Sequence, residues 1–114
     1  MKTLLCLPIG FTLAVTFATP ASASEALAKS KACVACHQTQ APKSGTVLAP
    51  AFEDIAAKYA GQKDAVDKLA QKVVKGGGGV WTGKVAMPSM PPQAQVTEAE
   101  AKQIVTWVLT LKKK

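Results

Sequence analysis

The sequence predicts an all-α domain of about four short helices, and three observations lead there. Two segments, Ala65–Lys75 and the stretch after Thr97, repeat apolar residues at helical spacing. No stretch shows the convincing period-2 alternation of a half-buried strand. The chain is only 114 residues long and holds 2 Trp, 1 Tyr and 3 Phe, so it can build one small domain with few large core side chains. The same length excludes a two-domain enzyme, and an apolar fraction of 48% excludes a disordered chain. A domain so small and so poor in large residues is marginal unaided, which suggests that part of its core is not protein.

Taken in order, the first segment reads as a targeting signal. Lys2 precedes the apolar run Leu4–Phe17, and Ala21-Ser22-Ala23 ends it as a small-x-small cleavage site. The run is shorter than the ~20 residues of a membrane span and contains Pro8 and Gly10. Cys6 stands too early, after Leu5, for a lipoprotein anchor. The expected division is a secretory signal at 1–23 and one domain at 24–114. No second apolar run of spanning length follows, so the expected product is a soluble, exported protein without stable membrane insertion, periplasmic in a Gram-negative cell.

Glu25–Ala35 has helix-forming composition. Ala51–Tyr59 follows Pro50 and sets Phe52, Ile55 and Ala56 on one face. Ala65–Lys75 carries a stripe of Val66, Leu69, Ala70, Val73 and Val74, and Gly76–Gly79 ends it. Thr97-Glu98-Ala99-Glu100 is a capping box. The last helix runs to about Leu111 and offers Ile104, Val105, Trp107, Val108 and Leu111 for burial. Lys112, Lys113 and Lys114 suit the negative end of its dipole. No internal repeat is present.

Cys33 and Cys36 remain after the leader. Export favours a disulfide, but these two stand in Cys33-Val34-Ala35-Cys36-His37, the attachment signal for c-type haem. Two thiols on one turn reach the two vinyl groups of one porphyrin edge, and the next residue supplies an imidazole to the iron. His37 is the only histidine. A thioredoxin-like pair needs a βαβ setting, and no strand-rich segment precedes Cys33. A structural zinc site takes four ligands, and three are present. A short-range disulfide is the plain alternative. For the sixth iron position methionine is the usual partner in cytochromes c. Met87 and Met90 both lie in the proline-rich stretch Val85–Gln93. One is expected to ligate and the other to fill the core, since two methionines three apart in an extended loop do not easily face one iron. The residues alone leave that choice open.

The chain resembles the small bacterial class I c-type cytochromes of the cytochrome c-551 type over essentially all of 24–114. The resemblance is carried by Ala32–His37, Ala49-Pro50-Ala51-Phe52, Leu69-Ala70-Gln71-Lys72, Gly79-Val80-Trp81, Met90-Pro91-Pro92 and Trp107-Val108-Leu109. It implies a small cytochrome c fold wrapped around one covalent haem c and its iron. It selects Met90, the methionine before Pro-Pro, as the ligand opposite His37. It also implies that the Pro50 carbonyl accepts from the other His37 nitrogen, which would fix the ring, and that the Trp81 indole reaches a haem propionate. Lys72 stands where members often have an arginine near that group, and an ammonium lacks the arginine fork. The stretch from Trp81 to Met90 is longer than in close relatives.

An iron closed by two protein ligands offers no substrate position. The expected function is therefore outer-sphere transfer of single electrons by a carrier, and not enzyme catalysis. Val34, Phe52, Ile55, Leu69, Val73, Val80 and Trp81 are the expected pocket wall. All 14 basic residues are lysine against 7 acidic, a formal charge of +7 that loss of Lys2 lowers by one. Export argues against nucleic acid as the partner. Lys31, Lys43, Lys72 and Lys84, near the haem-binding segments, could steer an acidic redox protein. The resemblance allows a terminal oxidase, a nitrite reductase or a quinol-oxidising complex as donor or acceptor, with a monomeric carrier. The rival functions are a haem peroxidase or gas binder with a labile sixth site, and a haem-free module with a disulfide. Gly76–Gly79 lacks the pattern of a phosphate-binding loop.

Overall fold

A computed structural model describes residues 20–112. The expected leader at 1–23 therefore lies, except for its last four residues, outside the described residues. Helix α1 spans Pro20–Ser30, with proline at a first-turn position where its missing N–H costs nothing. It starts before Glu25 and does not reach Ala35 as expected. Ala32 takes a left-handed conformation (φ 60°, ψ 19°), which breaks the helix, and Cys33–Ala35 form a separate 3-10 turn. The two cysteines therefore sit on a tighter turn than an α-helix, closed by bonds from the Cys36 and His37 N–H groups to the Cys33 carbonyl.

Helix α2 spans Phe52–Tyr59 and α3 spans Ala65–Lys75, both close to the expected bounds. Gly76 ends α3 with φ 74°, and its N–H bonds back to the Lys72 carbonyl at 2.8 Å. Strand β1 (Gly77–Gly78) then pairs antiparallel with β2 (Ser89–Met90), Gly77 opposite Met90 and Gly78 opposite Ser89. This ladder corrects the expectation of no strand: two glycines and two residues beside prolines carry no alternating pattern to read. Helix α4 spans Glu98–Thr110 and opens with the expected capping box. The Glu100 N–H donates to the Thr97 hydroxyl, and the Thr97 N–H donates to the Glu100 carboxylate.

Helix α4 packs against α1, α2 and α3. The core it closes is made of small and medium residues: Ala28, Ala70 and Ala101 are fully buried beside Phe52, Val96, Ile104, Trp107 and Val108. Leu111, expected to be buried, is half-buried against that cluster. Phe52 meets Trp107 edge to face, with ring centroids 5.4 Å apart. None of the large side chains among the described residues falls below 2% exposure. Phe52, Ile104, Val105 and Val108 border a cavity. The expected all-α fold is the one observed, and no helix among the described residues is long and apolar enough to cross a membrane.

Candidate haem site

The cavity is bounded by the 3-10 turn, by one face each of α2, α3 and α4, and by the loop carrying Trp81, Met87 and Met90. It holds about 1230 Å³ of space between atoms, its open mouth to solvent included. Cys33, Cys36 and His37 all line it, as do Pro50, Lys72, Trp81 and Met90. Of the expected wall, Phe52, Ile55, Leu69, Val73, Val80 and Trp81 are in place. Val34 is not: it is 41% exposed and borders no part of the cavity. A short turn that aims Cys33 and Cys36 inward leaves the residues between them facing out.

His37 is the most constrained of these groups. Its Nδ1–H donates to the Pro50 carbonyl oxygen at 2.7 Å, because a carbonyl can only accept. Its ring stacks on Phe52 at 5.3 Å and 14°. Burial holds the imidazole below its ordinary pKa, with the Pro50 bond pulling the other way. The ring is therefore neutral near pH 7, with its one proton committed to Pro50 and the Nε2 lone pair left for a metal. Cys33 and Cys36 are free thiols, and burial pushes the Cys33 thiol up.

Both methionines line the cavity. Met90 is half-buried in β2, while Met87 is 45% exposed at the mouth. The loop folds so that Ala86 and Met87 donate to the carbonyls of Val47 and Leu48, both at 2.9 Å. Lys72 is half-buried, with its Nζ beside Gly77. The Lys58 ammonium sits 5.6 Å over the Trp81 ring. Lys31 is no free docking charge, since its ammonium donates to the Gln95 carbonyl at 2.8 Å and pairs with Glu100 at 3.0 Å. Sequence reasoning placed Ile104, Val105 and Val108 only in the core, whereas they also line the cavity; helical periodicity marks a buried stripe without saying what buries it.

Two free thiols three apart, a neutral imidazole with one nitrogen unprotonated and thioethers around an apolar cavity fit a covalent haem, and they define a small haem protein of c type. Residues 21–112 match the Cytochrome c family, and the chain belongs to it. It is 50% identical over 112 residues to cytochrome c-552 of Hydrogenobacter thermophilus, covering 98% of this chain and all of that one. It is 50% identical over 91 residues to cytochrome c-551 of Ectopseudomonas mendocina, covering 80% of this chain and all of that one. The crystal structure of cytochrome c552 from Nitrosomonas europaea superposes with a TM-score of 0.66 at 44% identity, covering 77% of this chain and 99% of that one. The protein is thus a monohaem electron carrier with one covalent haem c, and Cys33 and Cys36 belong to its attachment motif.

Proposed function

We propose that this chain is an exported electron-transfer protein, not an enzyme, that shuttles single electrons between respiratory redox partners, with His37 and Met90 as the two axial ligands. The observation that carries the reading is the 2.7 Å bond from His37 Nδ1 to the Pro50 carbonyl inside a cavity that Met90 also lines. When bound, haem c supplies a one-electron ferrous–ferric couple whose potential its ligands and surroundings tune. Cys33 and Cys36 hold the macrocycle through thioethers. Pro50 fixes the tautomer and orientation of His37 and raises its basicity. The apolar faces of α2, α3 and α4 exclude water, which favours the less charged reduced state. Trp81 and Lys72, which both line the cavity, would meet the propionates, Trp81 as an N–H donor and Lys72 as a charge.

The leader directs the protein to the periplasm. There Lys43, Lys58 and Lys84, all exposed, surround the cavity-forming segments and steer acidic faces of a donor and an acceptor, with rates that fall as salt rises. A terminal oxidase, a nitrite reductase or a quinol-oxidising complex is the class of partner this suits, met by a monomer.

The test is the proton NMR spectrum of the ferrous holoprotein labelled at its methionine methyls. One methyl should be strongly shifted by the haem ring current, and Met87→Leu should leave it in place. Reduced protein should resist carbon monoxide at neutral pH. Loss of the shifted methyl in Met87→Leu overturns the choice of Met90, and ready carbon monoxide binding by the unaltered protein overturns the closed iron.

A further inference from the structure

We propose that Met87 is a second thioether ligand for the same iron, able to take the sixth position when Met90 leaves it. The inference rests on the reading of His37 and Met90 as axial ligands. The sequence repeats a Met-Pro pair, Met87-Pro88 and Met90-Pro91, and both methionines line the cavity that holds His37. Their anchors are independent. Met90 is held from the α3 side, where its strand pairs with Gly77. Met87 is held from the opposite segment, its N–H bonded to the Leu48 carbonyl next to the Ala49-Pro50 stretch that fixes His37. A movement that strips β2 from β1 therefore takes Met90 away without taking Met87.

Burial sets the order of the two. Met90 is half-buried and is the resident ligand, whereas Met87 is 45% exposed at the mouth. A methionine side chain is unbranched and has three rotatable bonds, so its sulfur can be re-aimed by side-chain rotation. The exchange balances simply: one iron–sulfur dative bond breaks and another of the same kind forms, with no proton or electron gained or lost. Its consequence is an iron that stays six-coordinate, and closed to small external ligands, while the β2 loop moves.

The experiment compares holoprotein carrying Met90→Ala, Met87→Leu, and both. Met90→Leu replaces Met90→Ala if the alanine variant is not recovered with haem. In Met90→Ala, a new ring-current-shifted methyl assigned to Met87 should replace the lost one, and mild peroxide should oxidise Met87 more slowly than in the unaltered protein. Carbon monoxide affinity of the double variant should exceed that of Met90→Ala by about tenfold or more. If Met90→Ala and the double variant bind carbon monoxide alike and neither shows a shifted methyl, Met87 is only a wall residue and the proposal fails. If Met87→Leu alone loses the original methyl, it is the choice of Met90 as resident ligand that fails.

Discussion

His37 is oriented by Pro50, a residue outside the attachment motif: Nδ1 of one and the carbonyl oxygen of the other are 2.7 Å apart. The same two segments are joined twice more, through the Phe52 N–H to the Gln38 carbonyl at 2.8 Å and the Glu53 N–H to the Thr39 carbonyl at 3.1 Å. Behind them stands a relay of rings: His37 stacks on Phe52, and Phe52 leans edge-on against Trp107 of α4. The imidazole is thus braced by a helix from the far end of the chain.

That relay makes Phe52 the residue through which α4 positions His37. Phe52→Ala should lower the unfolding free energy of the holoprotein by about 3–5 kcal/mol, the usual cost of deleting a buried phenylalanine. It should also broaden the His37 ring resonances. Denaturant unfolding and NMR check both; a loss below about 1 kcal/mol would mean that the ring is not packed as described.

Met90 depends equally on glycine. A Cβ at Gly78 would stand 2.6 Å from the Pro88 carbonyl oxygen, and one at Gly76 would stand 2.6 Å from the Met90 carbonyl oxygen. Gly78→Ala should therefore push the Pro88–Met90 strand outward and shift the Met90 methyl resonance and the reduction potential. Gly79→Ala, whose methyl would meet nothing within 4 Å but whose φ of 94° disfavours any side chain, should lower stability through the backbone instead of through a clash with the Pro88–Met90 strand. A Met90 methyl resonance left in place by Gly78→Ala would refute the steric contact.

The readable parts of this protein were those with a local code. Thr97 and Glu100 announce their helix start by spacing alone, and Cys33, Cys36 and His37 announce their chemistry in five residues. The stripe of α3 was legible because periodicity is local too. What was not legible depends on contacts distant in sequence. Gly77 and Gly78 form a strand only because Ser89 and Met90 come alongside, and nothing in a glycine run encodes a partner. Ala32 breaks the helix before the motif with a backbone conformation that its side chain does not advertise. Met87 faces the cavity because Val47 and Leu48 hold its loop, and Lys31 is withdrawn from the surface by Gln95 and Glu100. These are tertiary placements that composition cannot show.

Glu53 is the one buried acidic side chain among the described residues, 5% exposed. Its Oε1 accepts from the Ala41 N–H at 2.9 Å, tying down the segment that follows His37, while its Oε2 has no hydrogen-bond partner among the described residues. Only one oxygen is needed, so Glu53→Gln, which keeps an acceptor and removes the charge, should be as stable as the original or more so. Glu53→Ala strands the Ala41 N–H and should cost about 1–3 kcal/mol. Thermal unfolding of both variants checks this, and a Gln variant as damaged as the Ala variant would show that the charge itself is required.

The capping box of α4 gives a pH dependence with a definite sign. Glu100 is held below the usual carboxylate range, chiefly by the Thr97 N–H and then by the Lys31 ammonium. A carboxyl whose folded pKa is depressed contributes stability above its unfolded pKa, and loses it as pH falls through the folded value. Glu100→Gln keeps an oxygen for the Thr97 N–H but cannot ionise. Its melting temperature should therefore lie below that of the original protein by a constant margin from about pH 6 to 8, and the margin should shrink below about pH 4 as the native carboxyl protonates. Thr97→Ala removes the hydroxyl partner of the Glu100 N–H and should cost about 1 kcal/mol. That loss should persist in acid, because the hydroxyl does not titrate. Melting curves of the three proteins from about pH 3 to 8 separate the two contributions. A Glu100→Gln margin that stays constant into acid would show that the carboxylate charge plays no part in holding the helix start.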